Sequence, residues 1–360
     1  MLKNVHIVNM AENSRTNRAK RHVKIFERLI LLGNSGYYFT TNFDHASKGK
    51  ISKPAKDYEV DIWIPGYKSH TGLMRMVTNI VFSIILFWKL LMKTKKDDIV
   101  VVSSIPTEIA FSVSLLKLIK KNLTLVIDVR DVWPDSFPGV GLKKSIFSMY
   151  CDVINCFSYK RADEVIYVNE DFSKFLKRNN CFYDKSTYIP LGADLTRWQE
   201  RSGNIEASDL RFTKYVYVGN FNKQFDLSVL GDAFLSSNEK DISLIGDGEL
   251  IDKYRLKIPN ANFMGFLPQD TVVNSLRKCE VGLLPISGGA TLPNKLYDYI
   301  LSGLDIVTNS KHVARYLSLT EPVYDEDLSL YYIDNDNCNR NFIIDYEDVS
   351  SQFIKILNKY

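Results

Sequence analysis

Short apolar runs alternate with segments of helical hydrophobic period along this chain, in two successive sets. That rhythm constrains the fold more than any other feature, because strands joined by crossover helices pair in parallel and must be covered on both faces. The first set predicts strands over 4–9, 37–41, 60–64, 98–103, 123–129, 164–168 and 187–190. Its first helix, about 16–32, carries Val23, Phe26, Leu29 and Ile30 at helical spacing before Gly33 ends it. Further helices are expected over 74–92, after Pro106, over 143–161 and over 171–178. The polar, turn-rich segment 199–208 reads as a linker. The second set predicts strands at 215–218, 242–245, 262–265, 281–285 and 305–308, with helices over 226–235, 271–278, 293–301 and 345–357. The acidic, tyrosine-rich stretch 322–341 shows neither period. The expected fold is α/β: two doubly wound, Rossmann-like domains with parallel sheets, residues 1–200 and 201–345, and a C-terminal helix over 346–360 that packs back toward the first domain.

One βα unit of the second set carries chemistry. A buried strand ends at Pro285, a small-residue loop spans 287–292, and Pro293 stands where a helix begins. Strand, loop and helix N-terminus together suit an anion, with Pro293 and Asn294 at the mouth and Lys295 adding a mobile charge in the first turn. Asp298, three residues on, shares a face with Lys295. Such a pair suits the diphosphate and the sugar or ribose hydroxyls of one ligand; an ordinary βα unit with a surface ion pair has the same spacing. Two glycine turns, Gly219-Asn220 (with Lys223 close behind) and Gly246-Asp247-Gly248, also follow a strand and precede a helix. Three such turns converging on one sheet edge point to a nucleotide diphosphate.

In the first set, the strand 123–129 runs into Asp128-Val129-Arg130-Asp131-Val132-Trp133-Pro134-Asp135. This places Asp131 and Asp135 just past a central strand, as candidates to accept a proton or a hydroxyl hydrogen bond, with Arg130 keeping one of them ionised. An Asp–Arg pair tying down a loop is the plainer alternative.

The net charge of +4 hides an asymmetry. Residues 1–200 carry 30 Lys+Arg against 20 Asp+Glu, whereas residues 201–360 carry 16 against 22. A basic first half fits an anionic partner, a membrane surface, a lipid phosphate or nucleic acid, with uneven surface decoration as the plainer alternative. The apolar segment 74–92 is interrupted by Asn79, Ser83 and Lys89 and falls short of a clean span of about 20 residues. It reads as a core helix buried on one face, with a bilayer contact through Phe87, Trp88 and nearby lysines as the alternative. The five cysteines have no C-x-x-C spacing and read as reduced cytosolic thiols. No metal-ligand spacing, dinucleotide or ATP fingerprint, nucleophile elbow or nucleic-acid motif is found, so no metal, no cofactor and no nucleic-acid partner is expected.

Together, IDVRDVWPDS (127–136), IPLGAD (189–194), YVGN (217–220), IGDGE (245–249), NFMGFLPQD (262–270) and LPNKLYDYILSGLDIV (292–307) resemble the retaining sugar-nucleotide glycosyltransferases of family 4, in the branch that builds bacterial O-antigen and capsule units. The resemblance implies a GT-B fold of two facing Rossmann-like domains. It implies a nucleotide-sugar donor held by Lys295, by the backbone of Gly219 and Asn220, and by Gly246 and Gly248. Asp298 takes the place of the second glutamate of a family pair, near the ribose or sugar; the first would fall near Ala290, where no carboxylate stands. Asp131 matches a residue near the donor sugar, and loop 13–18 would close over the phosphates. The implied acceptor is a polyprenyl-diphosphate-linked saccharide, placing the protein in the cytoplasm, peripheral at the inner membrane. A sugar-nucleotide 2-epimerase and a catalytically inactive partner of the same fold are the alternatives.

Overall fold

The computed structural model describes residues 3–16, 20–45, 47–68, 72–136, 142–179, 183–195, 213–236, 241–287 and 293–360. They form two compact units: residues 1–192 with 344–360, and residues 193–343. The expected linker, 199–208, lies outside the described residues, as do most of the loop 287–292 and positions 17–18 of the loop 13–18.

In the first unit, strands β1 (Val5–Val8), β2 (Tyr38–Thr41), β3 (Glu59–Ile62), β4 (Ile99–Ser103), β5 (Thr124–Val129), β6 (Glu164–Tyr167) and β7 (Ser186–Tyr188) form one sheet in the order β3-β2-β1-β4-β5-β6-β7. Every neighbouring pair is parallel. A central strand such as β4 (IVVVS) is buried at all its positions, as a sheet covered on both faces requires. Helices α2 (Leu73–Lys93), α3 (Thr107–Ile119) and α4 (Leu142–Arg161) cover one face, where Phe82, Leu86, Ile109, Val113 and Tyr159 join the β-strand residues in one core. Helix α1 (Arg21–Leu31) and the C-terminal helix α11 (Tyr346–Leu357) cover the other, with Phe26 and Phe353 in the core between them. The C-terminal helix is thus part of the first unit. Asp345 caps it by accepting from the Glu347 amide at 2.8 Å, and the Tyr360 hydroxyl donates to Asp163 O at 2.9 Å.

The second unit has β8 (Tyr215–Val218), β9 (Ile242–Ile245), β10 (Asn262–Gly265), β11 (Val281–Leu284), β12 (Asp305–Thr308), β13 (Val323–Asp325) and β14 (Leu330–Ile333), in the order β10-β9-β8-β11-β12-β14-β13. The first five in that order are parallel. The stretch without a clear period contains an antiparallel hairpin, β13–β14, at the sheet edge. The expected helix 226–235 is broken into a 3₁₀ turn (Leu227–Leu230) and one short helical turn (Asp232–Leu235). Gly231 between them has φ of 84°, outside the helical range.

Both sheets share one device. The first strand of each lies between the second and fourth, so the chain reverses direction across the sheet beside β1 and beside β8. At such a switch point the loops leaving two adjacent strands part, and a crevice opens at their carboxyl ends.

In the first unit that edge is locked by a buried charged cluster. Asp128, at the end of β5, accepts from Arg21 Nε at 3.2 Å and Nη2 at 3.3 Å, and pairs with His22 Nε2 at 2.7 Å. Arg21 also donates to the carbonyls of Pro190 and Leu191. Burial alone would raise the Asp128 pKa, but Arg21, then His22, hold it well below the carboxylate range. Asp128→Asn leaves the Arg21 charge uncompensated and should cost about 3–5 kcal/mol in urea unfolding. Because the native pKa is depressed, the stabilisation is present above about pH 4 and is lost as pH falls. The variant should therefore lose less further stability in acid than the wild type.

Candidate functional site

In the second unit, β8 ends at Val218 and leads into Gly219, while β11 ends at Leu284 and its connection returns as α9 (Lys295–Leu301). These are the two strands flanking the switch point. Lys295, in the first turn of α9, turns inward and is 7% exposed. Its ammonium lies 3.9 Å from the centroid of the Tyr217 ring and 4.2 Å from that of Phe225. A β-carbon placed on Gly219 would sit 3.3 Å from Nζ. Among the described residues, Nζ has no hydrogen-bond partner. The surface i,i+3 ion pair therefore does not form: Lys295 is buried, with no hydrogen bond to Asp298, which is half-buried one turn along. Burial lowers the Lys295 pKa well below its ordinary value. The two aromatic faces attract the cation but satisfy none of its three N–H donors.

Tyr299 fixes this geometry. Its hydroxyl accepts from the Val218 amide at 3.0 Å and donates to Leu283 O at 3.2 Å, tying α9 to the ends of both flanking strands. Gly282 makes room for it, since a β-carbon there would lie 2.5 Å from the Tyr299 ring. Asn309 exchanges two hydrogen bonds with the backbone of Ile286, just past the end of β11.

The glycine turns meet as expected, but their amides are not free. Gly219 N donates to Ile245 O, Gly246 N to Gly265 O, and Gly248 N to the Asp247 carboxylate. These glycines serve close approach: a β-carbon on Gly246 would lie 2.0 Å from Gly219 O, and one on Gly248 2.4 Å from Asn220 Oδ1. In this arrangement the Gly219 and Gly246 amides are engaged by neighbouring strands, and the glycines contribute close approach of the two turns. Asn220, Lys223, Asp247 and Asn294 are exposed around the turns, and Pro293 is half-buried.

In the first unit, the residues after β5 divide their charges differently from the sequence expectation. Arg130 pairs with Glu12 at 2.6 Å, not with Asp131 or Asp135. Asp135 pairs with Arg178 on the surface. The reason is topological: the loop after β1, which carries Glu12, lies beside the end of β5, and sequence distance hides that contact. Glu12 also accepts from the Val23 amide at 2.9 Å, and Asn9 joins it to His22. Among the described residues Asp131 forms no ion pair. Its carboxylate accepts from the Val132 amide at 2.9 Å, and Ser104 Oγ donates to its carbonyl. Burial raises its pKa, against the pull of Arg75 among others. The Arg75 guanidinium lies 5.0 Å from the Trp133 ring and 5.8 Å from Tyr67. Glu12, Arg21, His22, Tyr217 and Phe225 escaped the sequence reading, because nothing in their local spacing marks them.

A scan against protein-family models and a search of curated proteins find no match. Solved structures do match. HepE from Anabaena, determined with UDP-glucose, shares 11% identity over 99% of this chain and 100% of that one, with a TM-score of 0.65. OtsA shares 11% identity over 83% of this chain and 82% of that one, TM-score 0.58. WaaG, a glycosyltransferase involved in lipopolysaccharide biosynthesis, shares 15% over 84% of this chain and 80% of that one, TM-score 0.56. These likenesses establish the fold class: an α/β chain of two Rossmann-like domains, the GT-B architecture.

An unpaired buried ammonium is a cost to the empty protein. Lys295→Met keeps the stem and removes the charge. It should raise the unfolding free energy of the ligand-free protein at neutral pH by on the order of 1–3 kcal/mol, measured by urea titration. A loss of stability would mean that the ammonium has a structural partner.

Proposed function

We propose that this chain is a glycosyltransferase that moves a sugar from a nucleotide-diphosphate donor to a hydroxyl of a saccharide acceptor. The observation that carries the reading is Lys295: a buried amine with no hydrogen-bond partner among the described residues, beside Gly219, at the switch point of the second sheet. An anion of high charge density completes its hydrogen bonds and restores its ordinary protonation. The donor in HepE's structure is a UDP-sugar, and that class of ligand supplies such an anion.

In this reading the glycosidic C–O bond to the diphosphate breaks while the acceptor oxygen bonds to the anomeric carbon. Negative charge develops on the leaving phosphate oxygen, where Lys295 neutralises it; this is electrostatic preorganisation. Asn220 and Pro293-Asn294 border the donor, and Asp298 meets the ribose or sugar hydroxyls. Asp131 belongs to the acceptor side. Its raised pKa makes it a better proton acceptor than an ordinary aspartate. Arg130, paired with Glu12, orients the loop that carries Asp131. The resemblance to family 4 supports retention of anomeric configuration, a polyprenyl-diphosphate-linked acceptor and a place in bacterial surface-polysaccharide synthesis.

Calorimetry with UDP-sugars and other nucleotide sugars tests the donor site. Lys295→Ala should weaken donor binding about 10- to 100-fold, or about 1.4–2.7 kcal/mol. At a pH between the lowered pKa of the free protein and the ordinary lysine value, binding should also take up a proton, seen as a dependence of the measured heat on buffer ionisation enthalpy. Asp131→Asn should leave donor affinity within about twofold and reduce transfer by about 100-fold or more. The acid limb of the wild-type rate should lie above the ordinary aspartate pKa and vanish in that variant. Unchanged donor binding in Lys295→Ala would remove the basis of the assignment, and epimer formation without acceptor would replace transfer with epimerisation.

A further inference from the structure

Helix α2 carries an apolar stripe on its outer side in addition to the one it buries. Every exposed residue from Leu73 to Met92 is apolar: Leu73, Met74, Val77, Ile80, Ile84, Trp88 and Met92. Of its polar residues, Thr78, Asn79 and Ser83 are buried and Arg75 and Lys89 are half-buried. Thr78 Oγ1 donates to Pro65 O, and Ser83 O accepts from Ser112 Oγ of α3, both at 2.9 Å. Ile84 is 55% and Trp88 58% exposed, at the centre of the stripe. A surface helix of a globular protein turns its polar side outward, so this pattern calls for an apolar environment outside the fold.

The stripe does not stop at α2. On α4, Leu142, Ile146, Met149 and Val153 recur at helical spacing and are exposed, Met149 at 66%. Between the two helices lies α3, which packs against both. It shows Phe111 and Leu115 half-exposed and Leu118 and Ile119 exposed, and Phe111 meets Phe157 of α4 with ring centroids 5.1 Å apart. Three neighbouring helices on one face of the sheet thus present apolar side chains outward.

One end of this layer is basic. Lys120 Nζ at the end of α3 donates to Leu91 O at the end of α2, at 2.8 Å. Lys117 Nζ of α3 donates to Arg161 O at the end of α4, at 3.0 Å. The carboxyl ends of all three helices therefore lie side by side. Exposed Lys93, Lys95, Lys96, Lys121 and Lys160 gather there, with Asp97 the one exposed acid among residues 93–97.

We infer that the outer face of α2, α3 and α4 lies on an anionic lipid bilayer, its apolar stripes in the interfacial region and its lysine end against the headgroups. Charge selects this occupant: an apolar field bordered by lysines matches acyl chains beneath negative headgroups. Helix α2 lies in the membrane plane and does not cross it, since Phe82, Leu86 and Leu90 anchor it in the core of the first unit. The inference stands apart from the proposed glycosyl transfer and is measured without substrate.

The test uses the full chain and co-sedimentation with vesicles of phosphatidylcholine alone or containing phosphatidylglycerol. Binding is expected with the anionic vesicles, rising as salt is lowered, with a blue shift of tryptophan emission that is absent in Trp88→Phe. The double variant I84E/M149E should bind at least about tenfold more weakly while keeping its circular dichroism and its urea-unfolding midpoint. Should that variant misfold, I80E/V153E, at other exposed positions of the same stripes, takes its place. Absent binding to anionic vesicles, equal binding to neutral ones, or wild-type binding by the charged variants would each overturn the inference. So would a lipid-independent dimer that the same substitutions dissociate, because the face would then be covered by a second copy.

Discussion

Parallel strands cannot be joined by a tight turn, and that constraint governs both halves of this protein. Each crossover needs a helix, each helix must cover a sheet face, and the order in which strands are added leaves one gap where the chain changes direction. In both sheets that gap lies beside the first strand, so both halves place their polar loops at the carboxyl ends of the strands around β1 and β8. Every residue with a candidate chemical role stands at one of these two edges.

The two edges are handled in opposite ways. In the first unit the buried charges are satisfied: Asp128 by Arg21 and His22, Glu12 by Arg130 and the Val23 amide. The cluster behaves as a clasp between β5, α1 and the end of β7. In the second unit the buried charge is left open. Lys295 is held between Tyr217 and Phe225 with no acceptor among the described residues. A satisfied network makes a unit rigid, whereas an unsatisfied cation stores affinity for a ligand. That contrast separates the two units: the first has its buried charges matched, and the second holds one open toward its switch point.

The layer of α2, α3 and α4 shows the same logic at the surface. Covering the sheet requires only one apolar stripe per helix, which Phe82, Leu86 and Leu90 supply for α2. The reading of α2 as a core helix buried on one face holds for that stripe; the second stripe faces outward and is matched by exposed apolar residues on α4.

Strand and helix alternation, and with it the two-domain α/β fold, was legible in the sequence because hydrophobic period is a local property of the chain. The sequence also singled out Lys295, at a helix start after a buried strand and a small-residue loop, and in the fold that residue is buried at the switch point. The helix over 226–235 was misread because apolar spacing outweighed Gly231, whose positive φ ends the run. Only the tertiary structure decided which charges pair. Arg130 neighbours Asp131 in the chain yet bonds Glu12, and Asp128 is matched by residues more than a hundred positions away. Likewise only packing showed that the glycine amides are already bonded and that Lys295 rests on two rings. Sequence fixes periodicity, which depends on neighbours three or four residues apart; partners of a buried charge depend on which loops the sheet order brings together, and no local spacing encodes that.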